Sequence, residues 1–169
     1  MIETERLLIK PLTYSQLFKY TLCDNSLEKE LNLNETTRTI SAELKEALEQ
    51  TILPSVADET KNYLYSTLWT AISKTENRMV ADLCIIGEPN FNGEIEIGYA
   101  TYEGFQGKGF MTELVAGIIK WSKTQPRVKS VIASTNKDNI ASFKVLQNND
   151  FLKIGETDIL FNWKLELSK

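Results

Sequence analysis

The sequence predicts a single α/β or α+β domain over residues 1–169, built on a mixed sheet. Three observations lead there. At 169 residues the chain has the length of one domain. Strand signals stand at both ends, with helical spacings between them. The segments follow the order one strand, two helices, three strands, a helix, a strand, a helix and two strands, which suits a sheet covered by helices.

Taken in order, residues 6–12 (Arg-Leu-Leu-Ile-Lys-Pro-Leu) read as a short strand ended near Pro11. Leu17, Phe18, Thr21 and Leu22 have helical spacing over 14–23, and Leu44, Ala47, Leu48 and Ile52 repeat it over 43–53, where Pro54 should stop the helix. The stretch 24–61 is acidic and polar without a strong core pattern, and is expected to cover the surface. Residues 64–73 and 79–86 are two strands joined by a polar turn at Lys74–Arg78. A turn over 87–93 leads into a third strand, Glu94 to Thr101. Phe110, Leu114, Ile118 and Trp121, with Met111, Val115 and Ile119 beside them, give 110–123 a wide apolar helix face. Residues 128–134 form another strand, and a helix begins after Asp138 or Asn139. Over 161–167 Phe161, Trp163, Leu165 and Leu167 alternate with polar residues, as in a half-buried strand.

Composition narrows the chemistry. Apolar residues are 42% and charged residues 25%, as in ordinary globular chains. A net charge of −4 argues against nucleic acid as a partner. Histidine is absent, which removes His-based triads, His-ligated zinc and a His general base. Cys23 and Cys84 lack metal or disulfide spacing, so two buried thiols in a reducing compartment and no metal site are expected. No apolar stretch reaches the ~20 residues of a membrane span, and the N-terminus lacks a signal-peptide segment. A soluble, cytoplasmic protein without a membrane partner, monomeric or homodimeric, is expected.

The most informative stretch is Gly104-Phe105-Gln106-Gly107-Lys108-Gly109-Phe110-Met111-Thr112, between a strand and an amphipathic helix. Gly107 and Gly109 allow positive φ, and the helix's first N–H groups point into the loop with its dipole behind them. Such a nest suits a phosphate or pyrophosphate; a flexible turn before a helix is the plainer alternative. Phe110 and Met111 follow where a Walker A loop needs Lys and Ser/Thr, and Thr112 stands where a dinucleotide fingerprint needs its third glycine.

The runs Glu96-Ile97-Gly98-Tyr99 and Gln106-Gly107-Lys108-Gly109-Phe110-Met111-Thr112-Glu113 resemble the acyl-CoA motif of the GCN5-related N-acetyltransferases (GNAT). Asn139-x-x-Ser142-x-x-Val145-Leu146, ending at Phe151, is similar to that family's Asn-x-x-Ser/Ala segment. Thr4-Glu5-Arg6-Leu7-Leu8-Ile9-Lys10-Pro11-Leu12 resembles the first strand of the branch that acetylates ribosomal-protein N-termini (RimJ/RimL-like). Met111 stands where the family has a small residue, and Asp150 where it has glycine. The resemblance implies a mostly antiparallel sheet of about seven strands, splayed between the fourth and fifth, with about four helices. It implies that acetyl-CoA, with no metal, is held by Gln106, Gly107, Lys108, Gly109, Phe110, Met111 and Thr112 at its pyrophosphate. Thr101 would pair with the pantetheine arm, and Asn139 and Ser142 would lie beside arm and thioester.

Acetyl transfer to an amine needs a neutral amine, yet a lysine-like amine of pKa ~10.4 is unprotonated in only about one molecule in 10³ at neutral pH. A base is useful, and without histidine a carboxylate is the natural one. Alternation puts Glu94 and Glu96 on one strand face, opposite Ile95, Ile97 and Tyr99. Glu96 also matches a glutamate common in the resembling branch, so it is the first candidate. Leu146 occupies the position of the family's thiolate-protonating tyrosine, leaving Ser142, Tyr99, Tyr102 or water for that role. The resemblance implies a primary amine as acceptor, a protein N-terminus or a small cationic amine, and no motif in the chain selects between them. The alternative is a catalytically degenerate coenzyme-A-binding sensor, to which Met111, Asp150 and Leu146 point.

Overall fold

The computed structural model describes residues 1–168. Its elements run β1 (Ile2–Glu3), β2 (Leu7–Pro11), α1 (Tyr14–Leu22), α2 (Ser26–Glu30), α3 (Ala42–Ala47) and α4 (Leu53–Ala57). Next come β3 (Leu68–Ser73), β4 (Arg78–Ile85), β5 (Glu94–Thr101), α5 (Phe110–Lys123), β6 (Ser130–Asn136), α6 (Ile140–Asn148), β7 (Leu152–Glu156) and β8 (Leu160–Glu166). The strands lie in one open sheet in the order β1-β2-β3-β4-β5-β6-β8-β7. Every neighbouring pair is antiparallel except β5–β6, which is parallel. The sheet has eight strands where about seven were expected, because the two residues of β1 are too few to show alternation.

Side chains alternate along the central strands between two cores. Leu7, Ile9, Trp69, Ala71, Leu83 and Ile85 join Leu114, Val115 and Ile118 of α5 on one face. Leu68, Ile72 and Met79 join Leu17, Tyr20, Leu27, Leu48 and Ile52 on the other. The two faces carry different cargo: α5 and α6 one, α1 to α4 the other.

Four expectations need correction. The 24–61 segment is more than a surface cover, since Leu27, Leu48 and Ile52 are buried in the second core. These residues are too sparse among charged neighbours to make a periodic pattern, and their partners come from distant strands. The segment also buries Glu28 completely, ion-paired with Arg38, which is 9% exposed. Pro54 does not end the helix. A π turn over Leu48–Ile52 lets the Leu53 N–H reach the Leu48 carbonyl, and Pro54 then falls in the first turn of α4, where an N–H is not needed. The expected strand 64–73 begins only at Leu68, because Tyr63–Tyr65 form a 3-10 turn. Finally, Cys23 is exposed at the left-handed end of α1, and Cys84 is only partly buried. No helix among the described residues is long and apolar enough to cross a membrane.

Candidate functional site

The site begins where two strands part. β5 pairs with β4 from Ile85↔Ile97 to Ala81↔Thr101, but with β6 only from Glu94↔Ser130 to Glu96↔Ile132. Beyond that point β6 continues along β8 as far as Asn136↔Leu160. The expected splay is therefore present, one number later for the extra first strand. β6 is paired along its whole length with β8 alone. From Ile97 onward the β6-facing edge of β5 has no strand partner among the described residues.

A groove of about 820 Å³ opens on this edge. Tyr99, Ala100 and Thr101 of β5 line it, with Gln106, Gly107, Gly109, Phe110, Met111 and Thr112 at its far end, and Asn139 and Ser142 on the α6 side. Most of the sequence-distant residues named above thus come together here, but Lys108, Glu96, Glu94 and Tyr102 do not. Lys108 is not in the wall: its ammonium sits over the Phe105 ring, 5.4 Å from the centroid. Glu96 lies outside the groove, at the paired end of β5 and on the strand face opposite Tyr99.

The glycine loop leaves a row of backbone donors beside the groove. Gly107 and Gly109 take φ of 73° and 79°, left-handed values that suit glycine. A Cβ on Gly107 would meet no atom within 4 Å, so what glycine supplies there is the backbone conformation and open approach. The N–H groups of Gln106 to Gly109 donate to no partner among the described residues. Behind them α5 starts at Phe110 with the unpaired N–H groups and positive dipole end common to helix N-termini. A pyrophosphate fits this row of donors. Met111 turns inward and is 5% exposed, so its bulk joins the core.

Across the groove, Asn139 caps α6 by accepting the Ser142 N–H at 3.1 Å. Tyr99 donates its hydroxyl hydrogen to the Ser142 carbonyl at 2.9 Å, and Ser142 Oγ lies 3.3 Å from the Tyr99 oxygen. Burial pushes the Tyr99 hydroxyl up to about 12, opposed by its bond to Ser142. Glu94 is occupied, accepting Asn90 Nδ2 at 2.9 Å and Lys164 Nζ at 3.0 Å, and both hold its carboxyl below the usual range. The Glu96 carboxylate has no hydrogen-bond or ion-pair partner among the described residues. Tyr102 is withdrawn from the chemistry: it donates to buried Asp82 at 2.6 Å and does not line the groove. Leu146 is fully buried in the core, and Asp150 takes a left-handed φ of 64° in the turn after α6.

Sequence reasoning missed Lys144 and Asn148, which line the groove from α6. Their spacing of three and four residues from Ala141 and Lys144 is a stripe that helical periodicity alone could have exposed.

The comparisons with known proteins agree with this geometry. The family described as "Acetyltransferase (GNAT) domain" matches residues 6–152. The uncharacterised N-acetyltransferase YjdG of Bacillus subtilis (strain 168) is 31% identical over 84 residues, a match spanning 50% of this chain and 50% of that protein. Among solved structures, the ribosomal-protein-S5-alanine acetyltransferase of Vibrio fischeri superposes with a TM-score of 0.69 at 19% identity, over 97% of this chain and 94% of that one. A spermidine N-acetyltransferase of Vibrio cholerae, solved with CoA and spermine, gives 0.65 at 13% identity, over 96% of each chain. With a family match across most of its length and the forked sheet beside a glycine loop, the chain belongs to the GNAT acetyltransferase domain family.

Proposed function

We propose that this chain acts as one acyl-CoA N-acyltransferase domain over 1–169, moving an acetyl group from acetyl-CoA directly to a primary amine. The observation that carries this reading is the fork between β5 and β6, opening onto a groove that ends in unpaired backbone N–H groups. Gln106 to Thr112 would hold the pyrophosphate, and the unpaired edge of β5 near Thr101 would bind the pantetheine arm as an added strand does. Asn139 and Ser142 would flank the thioester. Acetyl-CoA supplies an activated acyl group with a stable thiolate as leaving group. The same strand amides would stabilise developing negative charge on the acyl oxygen.

Glu96 serves as the base. It sits at the last paired residue before the fork, and on the face away from the groove. Because the sheet opens there, an amine approaching from that face meets the carboxylate and the acyl carbon together. The Glu96 carboxylate then takes the ammonium proton, directly or through water. Tyr99, pushed up to about 12, keeps its proton throughout the neutral range. Tyr99 lines the groove beside Ser142, where the thioester sulfur would lie. It therefore supports the leaving sulfur as a hydrogen-bond donor, turning from the Ser142 carbonyl. Tyr99→Phe is expected to lower kcat by roughly 10–100-fold, the worth of one hydrogen bond to a charged group. A steady-state kcat within twofold of wild type would remove Tyr99 from the reaction.

Acceptors are protein N-termini or small cationic amines. A ribosomal-protein acetyltransferase and a spermidine acetyltransferase share the fold, and the net charge of −4 favours encounter with a cation. The deciding experiment is thermal unfolding with and without saturating acetyl-CoA, with ATP and NAD as controls, followed by thiol release over an amine panel. Ligand at ~100 times its Kd adds about 2.7 kcal/mol, which raises Tm by several degrees. No shift with acetyl-CoA would overturn the proposal. A shift without turnover on any amine would favour the coenzyme-A-binding sensor, in keeping with Leu146 buried where the family has its tyrosine.

A further inference from the structure

The chemistry above leaves the first-strand motif Thr4-Glu5-Arg6 without a task, yet its side chains reach the glycine loop. Arg6 Nε donates to Glu113 Oε2 at 2.7 Å, and the Arg6 backbone N–H donates to Oε1 at 2.8 Å. Thr4 Oγ1 adds a third donor to Oε1 at 2.6 Å. The guanidinium's Nη1 then donates to the Lys108 carbonyl at 2.8 Å. Its Cζ lies 4.9 Å from the centroid of the Phe110 ring. One side chain thus joins the edge of β2, the first turn of α5 and the peptide between Lys108 and Gly109.

We infer that Arg6 is a positioning residue for the coenzyme A pyrophosphate, acting by holding the Lys108–Gly109 peptide in one orientation. The inference rests on the acetyl-CoA reading of the groove. In a trans peptide the carbonyl and the following N–H point in opposite directions. Engaging the Lys108 carbonyl from outside the groove therefore sends the Gly109 N–H away from Arg6, and Gly109 is a wall residue of the groove. Without that hold the peptide has little to fix its orientation, for Gly107 and Gly109 stand on either side of Lys108. The loop packs close to its clamp: a Cβ on Gly109 would lie 3.2 Å from Arg6 Nη2. Ordering the donor before the ligand arrives removes part of the entropy cost of binding. The clamp also offsets a conflict of charge. Glu113 is an anion in the same helix turn that would receive a pyrophosphate, and Thr4 and Arg6 supply three donors that turn its carboxylate toward β2.

The test is calorimetric titration of the full chain with coenzyme A, alongside thermal unfolding without ligand. Arg6→Met keeps the apolar stem and deletes the fork; it is expected to raise Kd about tenfold or more. Arg6→Lys keeps a cation but cannot reach Glu113 and Lys108 together, and should fall between. Thr4→Val, one donor short, should raise Kd about threefold. Lys74→Met cuts a different tie of the same N-terminal segment, to Glu3 and the Thr4 carbonyl, away from the loop. It should lower Tm and leave Kd within twofold, which separates positioning from mere stabilisation. Equal Kd for wild type and Arg6→Met, or an equal rise in Lys74→Met, overturns the inference. A wild-type chain that does not bind coenzyme A overturns the reading beneath it instead. If Arg6→Met does not fold, Arg6→Lys and Thr4→Val decide by the same criterion.

Discussion

Arg38→Ala is expected to destabilise the chain by about 3–5 kcal/mol, the cost of leaving a buried carboxylate without its partner. Glu28 is wholly inaccessible and pairs with Arg38, whose Nη2 also donates to the Tyr20 carbonyl at 3.0 Å. The guanidinium stacks over the Tyr20 ring at 4.4 Å, so alanine also removes packing. Asp82 lies in the same core, accepting from Tyr20 at 2.7 Å and from Tyr102 at 2.6 Å. Burial raises its pKa, against the hydrogen bonds from Tyr102 and Tyr20, so it gains from the nearby cation as well. For a chain of this length the loss is a Tm drop on the order of 10 °C, readable by calorimetry or urea unfolding. Replacing both partners, Glu28→Met with Arg38→Met, should cost less than Arg38→Ala alone, because no charge is then stranded. An Arg38→Ala chain that unfolds at the wild-type urea midpoint would show that the pair contributes nothing.

Glu96→Gln is expected to lower turnover by about 10²–10⁴-fold at neutral pH, the usual worth of a positioned general base. Glutamine keeps the shape and cannot accept the proton. The defect should shrink as pH rises toward ~10.4, where a lysine-like amine is neutral without help. Glu94→Gln is the comparison: Glu94 is tied to Asn90 and Lys164, so its loss should affect stability more than the pH profile. Parallel pH–rate profiles for wild type and Glu96→Gln would dismiss the carboxylate from this role.

The two predictions differ in how far the sequence announces them. The strand face of Glu96 is visible in advance because alternation is local: residues 94–101 state which side chains share a face, and the structure places them in one strand. Asn139 as a helix cap is equally local, since the acceptor and the N–H it receives are three residues apart. Glu28 and Arg38 look like solvated charges in an acidic stretch. They become a buried pair only because Leu27, Leu48 and Ile52 bring that stretch onto the far face of the sheet. Pro54 misleads for a related reason: the proline rule assumes i to i−4 bonding, and the π turn changes the register before the rule applies.

By itself the sequence determined the class of fold, the order of most elements and the place of the glycine loop. Each rests on short-range physics, namely periodicity, caps and the φ values open to glycine. Tertiary structure alone decided how long β5 and β6 stay paired, that Lys108 turns out of the groove, and that Arg6 holds the loop. Those outcomes depend on partners more than a hundred positions apart, as Arg6 and Lys108 are, or on which strand finds a full-length neighbour. Such pairings are chosen by the packed sheet as a whole, and they leave no local pattern in the chain.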